Sequence, residues 1–405
     1  MYIFACFYLV HHSGFAQTSH SDTTIIDTIA NKPILNMDAV YNRPFLALGK
    51  LPASIGGYLE SKYERSQTNG ISDGHQFIFQ RMTLFVSATI YRRIRFLSEI
   101  EFENGGKEIA IEFAAADFEF DPLLNLRAGI VMNPIGAFNQ NHDGPKWEFN
   151  DRPIAATQLL PATWSNVGAG LYGKKYLKSW VFAYEAYLTN GFDERIVDNG
   201  TGRTMLAASK QTPNRFIGSH NGQPLSTIKG AIRNYKYGEL GVSWMGGIYN
   251  RFQDGGAQIA PRRRIDAFAI DFNTTFPKSQ TYITGEYVWI IVDVPPGLQP
   301  LYATQQRGGF VDIVQPIYKG SIFNYRKSEL RLSFRIEKAD FNVGKFTETR
   351  LRMGDETWAM TGSFSWRPVG QTVLRVNYRV GERKDLFAGQ PSRSASIQIG
   401  FATYF

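Results

Sequence analysis

Cysteine is almost missing from this chain: Cys6 is the single one in 405 residues. Disulfide stapling and cysteine-based metal sites are therefore excluded. Histidine is scarce too. His20, His75, His142 and His220, the four beyond residue 16, fall in no HxH or HExxH spacing, which argues against a metal centre. Gly168-Ala169-Gly170 lacks the strand–turn–helix setting of a phosphate-cradling loop. No stretch approaches the about 20 apolar residues that a membrane helix needs. There is no heptad pattern, internal repeat or Pro/Ser-rich linker beyond residue 55, which favours one large unit.

Aromatic residues and glycine are abundant. Phe, Tyr and Trp make up 14% of the chain, with 30 Phe and 20 Tyr, and there are 38 glycines. Strands with aromatic girdles at two interfaces have this composition. The mean hydropathy of −0.25 resembles a soluble protein's, but a sheet with one apolar face hides that face from any average. The net charge is +8, which favours anionic partners: phosphate-like solutes, lipopolysaccharide or nucleic acid. Export makes nucleic acid an unsuitable partner.

Alternation is the main signal, because a strand has a side-chain period of two. Between Gln76 and Tyr91, Met82, Leu84, Val86, Ala88 and Ile90 oppose Arg81, Thr83, Phe85, Ser87 and Thr89. Ile94, Phe96, Ser98, Ile100 and Phe102 oppose Arg95, Leu97, Glu99, Glu101 and Glu103. Leu330, Leu332, Phe334 and Ile336 oppose Glu329, Arg331, Ser333, Arg335 and Glu337. Leu374, Val376, Tyr378 and Val380 oppose Arg375 and Arg379. The final segment sets Ile397, Ile399, Phe401, Thr403 and Phe405 against Ser396, Gln398, Gly400, Ala402 and Tyr404. Fourteen such segments can be read: near 57–65, 76–91, 94–103, 107–120, 123–132, 166–177, 179–190, 235–246, 263–276, 280–292, 328–337, 357–367, 373–380 and 394–405. Tight turns such as Arg92-Arg93 and Asp121-Pro122 alternate with long connectors over 134–165, 191–234, 293–325 and 338–355.

Short turns at one end and long loops at the other are the arrangement of a transmembrane β-barrel. The expected fold is all-β: an antiparallel transmembrane barrel of about 14–18 strands, even in number, with an inward-folded constriction loop. Residues Met1–Val10 are apolar, and Gly14-Phe15-Ala16 offers small residues to a signal peptidase. The expected organisation is a signal peptide over 1–16, a periplasmic lead-in over 17–55 and a barrel over 56–405. The expected location is the Gram-negative outer membrane, with lipid and lipopolysaccharide as neighbours. A guanidinium on the lipid face costs about 2–4 kcal/mol near the midplane, so Arg95, Arg331, Arg335, Arg375 and Arg379 are expected to point inward. Glutamates share that face, so part of this set is expected to be paired as wall structure. Arg262-Arg263-Arg264 reads as a rim cluster, and His142-Asp143 as a loop turn.

The most distinctive stretch runs from Asn133-Pro134-Ile135-Gly136 through Asn139, His142-Asp143 and Asp151-Arg152-Pro153 to Leu160-Pro161-Ala162-Thr163-Trp164 and Gly168. With Phe334-Arg335-Ile336-Glu337 and the terminal Phe405, it resembles the phosphate-selective porin O and P family from about Gly57 onward. The resemblance implies a homotrimeric channel whose inward loop narrows the pore, with no enzymatic step and no cofactor. Lys146 and Arg152 on that loop join the five arginines as the expected pore-lining and anion-binding set. The expected activity is passive diffusion of small hydrophilic solutes, with a preference for anions such as phosphate. The alternatives are a general or differently selective porin, an outer-membrane barrel enzyme or structural protein, and, remotely, a secreted β-sandwich.

Overall fold

The computed structural model describes residues 35–48, 52–212, 215–299, 301–346 and 348–405. The expected signal peptide over 1–16, and the lead-in as far as residue 34, lie outside the described residues.

Sixteen long strands form one antiparallel sheet that closes on itself. They are β1 (Ala53–Thr68), β2 (Ile71–Tyr91), β3 (Ile94–Glu103), β4 (Glu108–Asp121), β5 (Leu124–Met132), β6 (Ser165–Leu177), β7 (Trp180–Asn190) and β8 (Pro224–Asn234). There follow β9 (Gly238–Ile248), β10 (Arg264–Thr275), β11 (Tyr282–Val292), β12 (Gln305–Ile322), β13 (Tyr325–Asp340), β14 (Glu356–Val369), β15 (Thr372–Arg383) and β16 (Ser392–Tyr404). Each pairs with the next, and β16 pairs with β1 from Ser394↔Thr68 to Tyr404↔Tyr58. Phe405 and Gly57 exchange backbone hydrogen bonds at 3.0 and 3.2 Å. Among the described residues no edge of the barrel sheet is left unpaired, which is what hydrocarbon demands of a spanning sheet.

The barrel starts at Ala53, and two of its strands, β8 and β12, arise inside the expected connectors 191–234 and 293–325. Both have blurred alternation. On β12 the outward set includes Arg307 and Gly309, while the inward set includes Phe310 and Val314. On β8, Ser226 and Gly230 interrupt the outward face.

Elsewhere the faces separate cleanly. Leu332, Phe334, Ile336, Leu374, Val376, Tyr378, Ile397, Ile399 and Phe401 are exposed on the outside. Arg335, Glu337, Arg375, Asn377 and Gln398, their immediate chain neighbours, are buried on the inside. Short turns at 92–93, 122–123, 178–179 and 370–371 mark one end, and long connections at 133–164, 191–223, 249–263 and 341–355 mark the other. At the long-loop end β1 and β2 meet in the turn Asn69-Gly70, both residues at positive φ (52° and 82°), as a two-residue hairpin turn requires.

The interior is not an empty tube. A dry cluster fills one side of the long-loop half. It joins Ile135, Ile154, Leu159, Leu160 and Trp164 of the connection 133–164 and Phe192, Ile196 and Leu206 of the connection 191–223 to wall residues Met245, Ile265, Val288 and Ile290. This apolar patch explains why several inward positions of β9–β11 are not polar.

Candidate functional site

The candidate site is the lumen, and two inserted segments shape it. The first is the loop 133–164, whose backbone is docked onto strands all around the wall. Its entry turns on Gly136 (φ +64°), where an added Cβ would lie 2.3 Å from Glu286 Oε2. Glu286 accepts from the backbone N–H groups of Ala137 and Phe138 at 2.8 and 3.0 Å. Lys229 donates to the Gly136 carbonyl at 2.6 Å. Asn139 ties the loop's neck: its Nδ2 donates to the Asn133 and Trp164 carbonyls, and its Oδ1 accepts from the Trp164 N–H at 2.7 Å. The Asn, Pro and Trp residues of the resemblance motif are thus loop architecture.

The middle of the loop reaches the opposite wall. Glu148 sits between Arg331 and Arg367, each at 2.7 Å, and accepts from the Ser365 hydroxyl. Burial pushes its carboxyl up, but Arg367 and Arg331 outweigh that and bring it down to about 2. Asn150 accepts from Arg375 at 2.9 Å, and its N–H donates to Asn377 at 2.6 Å. Asp151 pairs with Lys62 at 2.7 Å and Arg379 at 3.4 Å, and accepts from Gln398 at 2.7 Å. These partners hold the Asp151 carboxyl below its ordinary value despite burial.

The second inserted segment is Leu35–Phe45, from the expected periplasmic lead-in. Leu35, Met37, Val40 and Arg43 are buried inside the barrel. Asn36 donates through its backbone N–H to Glu239 at 3.2 Å, and through its side chain to Asp271 at 3.3 Å. Asp38 pairs with Lys174. Arg43 donates to Asp143 at 2.6 and 2.9 Å and to Glu99 at 2.8 Å, and lies over the Phe85 ring. His142 contacts Glu99 Oε1 at 3.3 Å and the Asn139 carbonyl at 3.0 Å. His142-Asp143, expected as a loop turn, lies in the loop and is buried where loop, segment and wall meet. Arg43, distant in sequence, supplies the charge that lets Asp143 be buried.

All seven residues of the expected pore-lining set face the interior side of the wall or lie on the loop within it. Arg95 pairs with Glu119, Lys146 with Asp143 at 3.1 Å, and Arg152 with Glu101 at 3.8 Å. Arg335 forks onto Asp312 at 2.7 Å, Arg375 pairs with Glu60, and Arg379 pairs with Glu337 at 2.9 Å. Arg335 and Arg375 are fully buried, whereas the side chains of Arg331, Lys146, Arg379 and Arg152 keep 25%, 23%, 20% and 16% exposure. Lys62, Glu148 and Arg367, central to the loop's docking, were not singled out as site residues. The Arg–Ser–Glu alternation of β13 is a sign of the inward face but not of its partners.

Glu99, Glu101 and His142 offer ligand atoms within 4.8 Å of one another. Arg43 already neutralises Glu99, and Arg81 and Arg152 flank Glu101. Their positive charge opposes a cation in that cluster.

The barrel is similar to solved outer-membrane porins. An anion-selective porin from Comamonas acidovorans matches with a TM-score of 0.52 and 10% identity, over 87% of this chain and 99% of that one. OmpF of Salmonella typhi, solved with daunomycin, matches at 0.53 and 10% identity, over 89% and 100%. OprB of Pseudomonas putida matches at 0.52 and 9% identity, over 87% and 94%. Identities this low establish likeness of fold. No family model matches the chain. An uncharacterized protein of Aquifex aeolicus (strain VF5) is 35% identical over 166 residues, covering 37% of this chain. The match spans 36% of that relative's length.

Proposed function

We propose that this chain is an outer-membrane porin: a passive channel for small hydrophilic solutes, with no chemical step and no cofactor. The observation that carries the reading is a closed barrel, apolar outside and charged inside, with a polar loop folded across its lumen. Reconstitution into planar bilayers tests it. Discrete conductance steps that grow with salt concentration are expected, and refolded barrel that never conducts would refute it.

A preference for anions such as phosphate is the finer reading. It is supported by the sequence resemblance, by the net charge of +8 and by the partial exposure of Arg331, Lys146, Arg379 and Arg152. An arginine in that position offers a charged planar fork to oxyanions. Against it, all seven cations of the set lie within ion-pair distance of a carboxylate, so much of their field is cancelled locally. The geometry therefore favours weak selectivity. Recording in chloride with phosphate titrated in decides between the two: block at millimolar phosphate supports the selective channel, and undiminished current supports the general one. A homotrimer, lipopolysaccharide at the Arg262–Arg264 rim and delivery by a signal peptide complete the proposal. Mass measurement of the detergent-extracted protein tests the assembly.

A further inference from the structure

The segment Leu35–Phe45 touches strands on nearly opposite sides of the barrel. Asn36 is bound to Glu239 and Asp271 on β9 and β10. Six to eight strands away, Arg43 is bound to Glu99 on β3, and Phe45 packs on Phe85 of β2. Between these ends the segment follows the inner wall and meets the intervening strands in turn. It is compact rather than extended: Asn36–Asp38 is a 3-10 turn, and the N–H groups of Tyr41 and Asn42 donate back to the Asp38 carbonyl at 2.9 and 3.0 Å. Between its ends, Asp38 is held by Lys174 on β6. Tyr41 lies edge-on to Phe113 of β4 at 6.3 Å and under the Arg127 guanidinium at 5.0 Å. The segment is also locked to the loop 133–164 twice: through Arg43 to Asp143, and through Lys146, which donates to the Ala39 carbonyl at 3.1 Å.

We infer that Leu35–Phe45 is a resident bar laid along the inner wall that, together with the loop 133–164, narrows the channel's cross-section. This rests on the channel reading above. The wall groups that hold the bar, Glu99, Lys174, Glu239 and Asp271, are placed to receive it, and each meets a complementary charge or donor on it. Arg43 is its latch, since one guanidinium joins wall, bar and loop.

The test is single-channel recording of the full chain against a deletion of residues 35–45, both refolded in detergent. Removing the bar is expected to raise unit conductance at least twofold. Equal conductance from two folded barrels would overturn the bar's role. If neither chain conducts, the channel reading fails, and the bar's role with it. A second variant keeps the test decisive if the deletion does not fold. Asn42 lies on the bar, its side chain partly exposed, so Asn42→Cys places a thiol there, Cys6 being the only other cysteine. Modification of the open Asn42→Cys channel with a charged thiosulfonate is expected to cut its current by half or more, with Cys6 removed in both arms. Current unchanged after complete modification would refute the bar's place in the conducting path.

Discussion

At Glu148 the interior shows how a loop rich in charge can be buried. The side chain is 2% exposed, with guanidinium groups on two sides. Removing one partner of a buried pair costs about 3–5 kcal/mol because the other charge is left stranded. Glu148→Gln should therefore free the middle of the loop, seen as new protease cleavage within 143–152 of the refolded barrel. Arg331→Gln should cost less, because Arg331 is a quarter exposed and Arg367 remains. The acid dependence follows from the same group. Its carboxyl titrates at about 2 in the folded protein, against ~4.3 for an unfolded glutamate. A value lowered by folding contributes stability that is present above the unfolded value and lost as pH falls through the folded one. The loop should stay protected from pH 7 to pH 5, weaken below ~4.3 and lose this clamp near pH 2. Hydrogen exchange over 143–152 along that series would check it, and release already at pH 5 would contradict it. The inward direction of Arg331, Arg335, Arg375 and Arg379 could be read from strand period alone. Their partners could not, because Glu148, Asp151, Asp312 and Glu60 lie 23 to 315 residues from the arginines they bind.

Among the elements, legibility tracks how sharply each strand divides its two faces. β13, β15 and β16 alternate cleanly through their middles and could be located from the sequence, although β13 runs three residues beyond 328–337 at each end, where Lys338 and Ser328 break the pattern. β8 and β12 could not, since part of each inward face meets apolar side chains of the loops: Leu225 joins the dry cluster and Phe310 packs with Phe138 and Ala156, while Arg307 points out. The same mechanism hid the inner dry cluster: an apolar residue facing inward makes sense only once the loops that cover it are placed. The loop 133–164 was recognisable as an inward fold from its motif, and its entry turn can be tested by a pair of glycine substitutions. Gly70 and Gly136 both have positive φ, but a Cβ on Gly70 meets nothing within 4 Å, whereas on Gly136 it strikes Glu286. The left-handed conformation alone costs a non-glycine residue about 1–2 kcal/mol. Gly70→Ala should cost about that much and leave conductance unchanged. Gly136→Ala should cost more, because Glu286 must also surrender its hydrogen bonds to Ala137 and Phe138. A conductance change for Gly136→Ala without one for Gly70→Ala is the expected result.

For the whole molecule, the decisive question is which solvent each face of the sheet meets, and a substitution at an exposed site can answer it. Leu332 is 51% exposed on the outside of β13, beside Gln315 and Phe364 and next to the pair Phe334 and Ile313; Phe364, Phe334 and Ile313 are exposed as well. In a water-soluble sheet, Leu332→Arg at so open a position would cost little, since exposed substitutions away from special features stay within about 0.5 kcal/mol. In a bilayer the same change places a guanidinium in hydrocarbon, at about 2–4 kcal/mol near the midplane and less toward the interfaces. The next residue gives the opposite control. Ser333 faces inward, its hydroxyl buried, so Ser333→Ala leaves the lipid face untouched and should insert as the parent does. Folding yield into vesicles, read by the heat-dependent shift of the folded barrel on a gel, should fall for Leu332→Arg and hold for Ser333→Ala. The loss should shrink in bilayers thin enough to bring position 332 near the interface, because the penalty depends on depth. Equal insertion of Leu332→Arg and parent in thick and thin vesicles alike would mean that water, not lipid, covers this face. The apolar girdle would then need another partner.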